Sequence, residues 1–72
     1  MNRIIEVVPL ENYILELTLS DNSVVAFDMK PYLIKGKLAE LKDIALFNTA
    51  RPSFDTIEWS NGADIDPECI GI

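Results

Sequence analysis

The residues most able to do chemistry are the carboxylates that crowd the last quarter of the chain. Asp64, Asp66 and Glu68 are spaced two residues apart, so in an extended segment their side chains share one face. Asp55 and Glu58 belong to the preceding predicted strand. Oxygen-rich clusters suit Mg²⁺ or Ca²⁺, and paired carboxylates can serve acid–base catalysis. A carboxylate-based divalent-metal site or hydrolase, with Asp64 and Asp66 as ligands, is therefore one hypothesis for this segment.

Two features of the same segment argue against a metal. Its spacing does not follow the EF-hand pattern, and Pro67 is expected to turn Glu68 away from the strand face. Asp66-Pro67-Glu68 is also a helix-start signature, which predicts a helical turn through Ile70. Turn and capping roles then account for Asp66 and Glu68, and we predict no catalytic residue.

Other catalytic chemistries lack the residues they require. The chain has no histidine and a single cysteine, Cys69, which excludes Ser-His and Cys-His nucleophilic sites and zinc sites built from histidines or several thiolates. The three glycines (Gly36, Gly62 and Gly71) are scattered and form no phosphate-binding loop. We therefore predict no cofactor.

The charge distribution points to a protein partner. Twelve acids oppose six bases, giving a net charge of −6, which argues against direct nucleic-acid binding. Arg51 is the last base in the sequence, so the acids after Pro52 have no base beside them. Such an acidic end favours a small basic protein partner, although an ordinary solvated surface is the simpler alternative. The candidate partner-binding residues are Trp59, Asn61, Asp64, Asp66 and Glu68.

Trp59, the single tryptophan, has two possible roles. Tryptophan more often packs in a core or against a sheet, but beside an acidic hairpin it would suit an interface anchor. Both roles stay open at the level of sequence.

Length and apolar content place the chain among small soluble proteins. Its 72 residues predict one domain, 1–72, with a thin core. No apolar run could span a membrane, and the first residues do not resemble a signal peptide. A lone cysteine fits a reducing compartment, so we expect a cytoplasmic protein without membrane contact.

The hydrophobic pattern predicts an α+β fold. Three β-rich runs (3–9, 13–20 and 24–29) joined by short turns predict an antiparallel three-stranded meander, with an Asx turn at Asp21-Asn22 and Pro9 at an edge. From Leu38 the period becomes helical, and Asp43 can cap a second piece, so we expect two short helices or one kinked helix. Asn61-Gly62 between strands 54–59 and 63–65 predicts a C-terminal β-hairpin closed by a type I′ turn.

The motifs of this chain resemble those of a known family. Asp28-Met29-Lys30-Pro31 matches a "D-hydrophobic-x-P" motif. The run from Leu41 to Phe47 matches an "L-x-D-x-x-x-F" helix motif, and the run from Ile57 to Pro67 matches the hairpin motif "I-x-W-x-N-G-x-D-I-x-P". These are features of the small bacterial proteins grouped as domain of unknown function 2442 (DUF2442). One departure is Ile70-Gly71, where the family usually has Leu-Tyr.

The resemblance implies an α+β fold with a mainly antiparallel sheet and no established activity or catalytic residues. It also implies an association with another small protein, as in toxin–antitoxin-like arrangements. We therefore expect a non-catalytic protein-interaction module, antitoxin-like or regulatory, with the metal site or hydrolase as the alternative. A third possibility is a homo-oligomer formed through an exposed sheet edge.

Overall fold

A computed structural model describes residues 3–54 and 56–66. Within them the chain forms two three-stranded antiparallel sheets separated by a short helical segment, which confirms the α+β prediction. The first sheet contains β1 (Ile4–Pro9), β2 (Ile14–Leu19) and β3 (Val24–Asp28). The second contains β4 (Arg51–Ser53), β5 (Thr56–Glu58) and β6 (Asp64–Ile65). Between the sheets lie α1 (Gly36–Ala39) and α2 (Ile44–Phe47).

The first sheet is the meander that the alternating pattern predicts, in the order β1-β2-β3. Leu15, Leu17 and Leu19 of its central strand are at most 2% exposed, whereas the residues between them are half-buried. The Asx turn is also confirmed, because Oδ1 of Asp21 accepts a hydrogen bond from the backbone N–H of Ser23 at 3.0 Å. Period-two alternation therefore sets which face of this sheet enters the core.

Strand β1 lies at an edge of the first sheet and faces the second sheet. The N–H of Leu10 donates to the carbonyl of Ile14 across the β1–β2 pair, so the peptide groups of Pro9 point away from β2. This confirms the edge position predicted for Pro9, which has no N–H to contribute to a ladder. A bulge at Ile5 interrupts the register of the strand, and β1 contacts β4 and β5.

The helical segment consists of two short pieces, as predicted. Gly36, with φ of +65°, opens α1, and a 3₁₀ turn over Glu40–Lys42 separates it from α2. Asp43 caps α2, since its Oδ1 accepts from the N–H of Ala45 at 3.0 Å. The cap replaces one of the hydrogen bonds that the first turn of a helix lacks.

The second sheet corrects the hairpin prediction in two ways. Arg51–Ser53 forms an additional strand that pairs with β5. The sequence does not predict this strand, because Pro52 favours a connecting segment. The type I′ turn predicted at Asn61-Gly62 is wrong, because only Gly62 of the two has a positive φ, +87°. The loop instead has three residues, 60–62, of the kind in which one left-handed residue follows a type I turn.

One hydrophobic core joins both sheets and the helical segment. Its largest fully buried side chains come from all of these parts of the chain: Trp59, Phe47, Leu15, Leu17, Met29, Leu41 and Ile57. No helix within the described ranges is long and apolar enough to cross a membrane. The helical turn predicted after Asp66 falls on residues 67–72, outside the described residues.

Candidate functional site

Trp59 is a core residue. Its side chain is 0% exposed, and its indole Nε1–H donates to the backbone carbonyl of Phe47 at 3.0 Å. The ring of Phe47 in turn meets that of Tyr13 edge-on, with centroids 5.3 Å apart. The interface-anchor role considered for Trp59 is therefore not available in this structure, because a partner could reach the indole only after the core had opened.

Asn61 fixes the hairpin loop to the helical segment. Its Oδ1 accepts from the N–H of Ala63 at 2.9 Å. Its Nδ2 donates to the carbonyl of Lys37 at 3.1 Å and to the carboxylate of Glu40 at 3.0 Å. The side chain is half-buried, and its donors and its acceptor are already engaged within the chain. This residue, predicted to contact a partner, thus has an internal structural role.

Gly62 is the left-handed residue of the same loop. At its φ of +87° a residue with a Cβ would be strained, and that Cβ would lie 3.0 Å from the ammonium of Lys37. Three residues of the hairpin motif therefore have structural explanations, namely a buried indole, a bridging amide and a left-handed glycine.

The second sheet does bring carboxylates together on its outer face. Glu58 of β5 lies directly opposite Asp64 of β6, and Arg51 of β4 lies opposite Glu58. Nη2 of Arg51 is 2.5 Å from Oε1 of Glu58, so this base neutralises one carboxylate of the pair. Asp64 and Asp66 are both exposed. We call Glu58, Asp64 and Asp66 the carboxylate face.

The chemistry available on the carboxylate face is limited. Among residues 3–54 and 56–66, no group of three or more acidic, histidine or cysteine side chains is placed to hold a metal ion. Asp55 and Glu68, which completed the carboxylate set in the sequence, lie outside the described residues. The arrangement seen is one that can attract and contact a cationic surface.

Folding changes the charge asymmetry that the sequence suggests. Lys35 and Lys37, distant in sequence from the acidic end, line a surface depression of about 480 Å³ together with Asp64. The loop containing these lysines therefore lies beside the acidic hairpin, so the acidic end of the sequence does not form a surface without bases. The excess of negative charge belongs to the whole molecule, which carries −6.

Phe54 is a candidate contact residue that sequence reasoning missed. It directly follows β4, its side chain is 93% exposed, and its φ is +54°. A bulky residue rarely adopts a positive φ. The sequence held one signal, since Phe54 has the same parity as Thr56 and Glu58, which the alternation placed on the polar face.

Comparison with known proteins gives a family but no activity. Residues 4–70 match the model of a family described as "Protein of unknown function (DUF2442)", which confirms the resemblance seen in the motifs. No curated protein and no solved structure matches the chain.

Proposed function

The chain belongs to the DUF2442 family of proteins of unknown function, and from this premise we propose that it is a non-catalytic protein-interaction module. In this proposal it acts as an antitoxin-like or regulatory partner of a small basic protein. The anchor of the interface is Phe54, and the carboxylate face supplies the electrostatic attraction.

The exposure and backbone of Phe54 carry the proposal. A left-handed conformation costs a residue with a Cβ about 1–2 kcal/mol, and the exposed ring of Phe54 recovers none of this by packing in the monomer. Burying a phenylalanine in a partner is worth roughly 1.5–3 kcal/mol.

The sign of the molecular charge supports a basic partner. At −6 the chain attracts a cationic protein over several ångströms, and Asp64 and Asp66 are exposed carboxylates that can meet its surface. Arg51 already pairs with Glu58, which leaves Glu58 less able to contribute. Attraction of this kind weakens as salt screens the charges.

The test compares two substitutions of exposed apolar residues. The wild-type protein is used to capture its partner from the native host, and the purified partner is then titrated calorimetrically with wild type, Phe54→Asn and Ile34→Asn. Ile34 is 73% exposed and lies in the loop before α1, so it is the matched control. We expect Phe54→Asn to weaken binding at least about tenfold, as for an aromatic interface anchor, and Ile34→Asn to leave the affinity unchanged.

The same variant should stabilise the free protein. Asparagine tolerates a positive φ, so Phe54→Asn should raise the free energy of unfolding by roughly 0.5–1 kcal/mol while removing the contact. Affinity should fall as ionic strength rises. Failure to capture any protein, or equal affinities for wild type and Phe54→Asn, would overturn the proposal.

A further inference from the structure

The outer edge of β3 presents a row of backbone groups that no strand of residues 3–54 and 56–66 pairs with. The N–H of Leu19 donates to the carbonyl of Ser23 at 2.9 Å, and that of Met29 to the carbonyl of Tyr13 at 2.9 Å. Peptide groups alternate in direction along a strand, so Val25 and Phe27 also face β2. The N–H and C=O groups of Val24, Ala26 and Asp28 therefore point outward.

The two edges of the first sheet differ in how they are protected. The β1 edge has a bulge at Ile5, carries Pro9 and contacts the second sheet. Edge strands commonly avoid intermolecular pairing by such means, or by a lysine in the strand. By contrast β3 keeps a regular register with β2 and contains no proline, glycine or lysine, and its first four residues are uncharged. Among the elements described, β2 is the one that β3 contacts most extensively.

We infer that β3 is a self-association site, where it pairs antiparallel with β3 of a second copy of this chain. A two-fold axis at Ala26 places Val24 opposite Asp28 of the second copy and Val25 opposite Phe27 of the second copy. The outward groups of each strand then meet the same groups of the other, as an isologous interface requires. The two meanders together form one continuous six-stranded sheet.

The core side of β3 also favours a second copy. Val25 and Phe27 are only half-buried, and the ring of Phe27 contacts that of Tyr32 with centroids 5.4 Å apart. These apolar side chains lie at the open end of a core that stops at β3. Pairing of two copies brings the apolar faces of the two sheets side by side, so it covers surface that the monomer leaves in water.

Local charge selects the second copy over the basic partner at this edge. Asp28, the one acid of β3, lies 3.1 Å from the ammonium of Lys30, so the single charge of this strand is paired even though the molecule is strongly acidic. In the two-fold arrangement the Asp28 carboxylates are four residues apart, about 13 Å along the strands. This exceeds the screening length of about 8 Å at physiological salt, so they repel little.

The test measures molecular mass and amide exchange on the intact chain. Wild type should change with rising concentration from 8.1 kDa to twice that mass in sedimentation equilibrium. In the same range, hydrogen exchange at the amides of Val24, Ala26 and Asp28 should slow. The amides of Val25 and Phe27, which face β2, should be protected at every concentration.

Two edge variants and one control complete the design. Ala26→Lys brings two ammonium groups together at the axis, and Ala26→Pro removes an outward N–H that β2 does not use. Both should stay monomeric at concentrations where wild type is dimeric, with Trp59 fluorescence reporting an intact core. Ala45→Lys makes the same change on an exposed alanine of α2 and should dimerise as wild type does.

Several outcomes would overturn the inference. These are a wild-type chain that remains monomeric at millimolar concentration, a dimer that survives Ala26→Lys, and protection that spares Val24 and Ala26. Open-ended assembly would equally contradict a closed two-fold pair. Phe54→Asn should dimerise normally, so the result does not depend on the proposed partner.

Discussion

Two hairpins of this chain, one in each sheet, are closed by three-residue loops of the same geometry, 20–22 and 60–62. In both loops the residue before the turn donates its N–H to the carbonyl four residues on, at 2.9 Å, for Leu19 to Ser23 and for Trp59 to Ala63. The third loop residue has a positive φ in each, +71° at Asn22 and +87° at Gly62. A side-chain hydrogen bond also recurs, since Oδ1 of the middle loop residue accepts from the N–H of the residue after the loop. The distance is 3.0 Å from Ser23 N to Asp21 Oδ1 and 2.9 Å from Ala63 N to Asn61 Oδ1.

The two loops differ in what their middle residue can donate. The carboxylate of Asp21 can only accept, and among its bonds are those from the backbone N–H and the hydroxyl of Ser23. The amide of Asn61 accepts in the same way, but its NH₂ group reaches the carbonyl of Lys37 and the carboxylate of Glu40. The same backbone motif thus carries a carboxylate at its middle position in one sheet, and in the other an amide whose NH₂ group attaches the loop to distant helical turns.

The largest difference in the free energy of unfolding is expected when the middle residue of each loop is replaced by that of the other loop. Asn61→Asp keeps the acceptor but loses both donated bonds and places a carboxylate beside that of Glu40. We expect the free energy of unfolding to fall by about 2–3 kcal/mol, since two hydrogen bonds are lost and a repulsion is added. Asp21→Asn keeps an acceptor for Ser23 and removes no donor, so it should cost less than Asn61→Asp. Urea unfolding followed by Trp59 fluorescence measures both.

Equal losses in the two variants would show that the loops are energetically alike, contrary to the geometry. A second control isolates the repulsion. In a Glu40→Gln background, Asn61→Asp should cost less than in wild type, because a carboxylate no longer faces the new one.

The sequence could predict the loops but not this difference between them. The alternating leucines of β2, the Asx turn at Asp21 and the cap at Asp43 depend on neighbouring residues, and local rules predicted them correctly. The docking of Asn61 joins residues 24 and 21 positions apart in the chain, and no local rule encodes it. The type I′ prediction failed because the dipeptide rule counts two loop residues, whereas this loop has three.

The candidate site was also predictable only in part. Exposure of Asp64 and Asp66 follows from alternation, whereas the burial of Trp59 depends on the carbonyl of Phe47 from another segment. The sequence places Phe54 at the start of the predicted strand 54–59. The extra strand at Arg51–Ser53 moved the turn onto this residue and left its ring in solvent.

A smaller effect is expected at the left-handed position of each loop. Gly62→Ala should destabilise the protein by about 1–2 kcal/mol, because a residue with a Cβ is strained at φ of +87°. The nearest obstacle, 3.0 Å from the new Cβ, is the flexible end of Lys37, which can move aside. The cost should therefore be the same in a Lys37→Met background.

The matched change Asn22→Gly should be within about 0.5 kcal/mol of wild type, as both residues accept this conformation. A neutral Gly62→Ala would contradict the structure.

The smallest effect concerns acid, which titrates a carboxylate but not the amide of Asn61. At the end of β3 the backbone N–H of Lys30 donates to Asp28 at 2.9 Å, and this bond, followed by the Lys30 ammonium, holds the pKa of Asp28 below its usual 3.8. A lowered pKa means that the stabilising contribution of Asp28 is complete above the unfolded-state pKa and disappears as pH falls through the folded-state value. Urea unfolding between pH 5 and pH 2 should therefore show less loss of stability in Asp28→Asn than in wild type. The carboxyl resonance of Asp28 should titrate with a midpoint below 3.8. A midpoint at or above 3.8 would show that Lys30 does not stabilise the ionised carboxylate of Asp28. The first sheet would then gain no stability from this carboxylate, whereas the second sheet gains stability from the amide of Asn61.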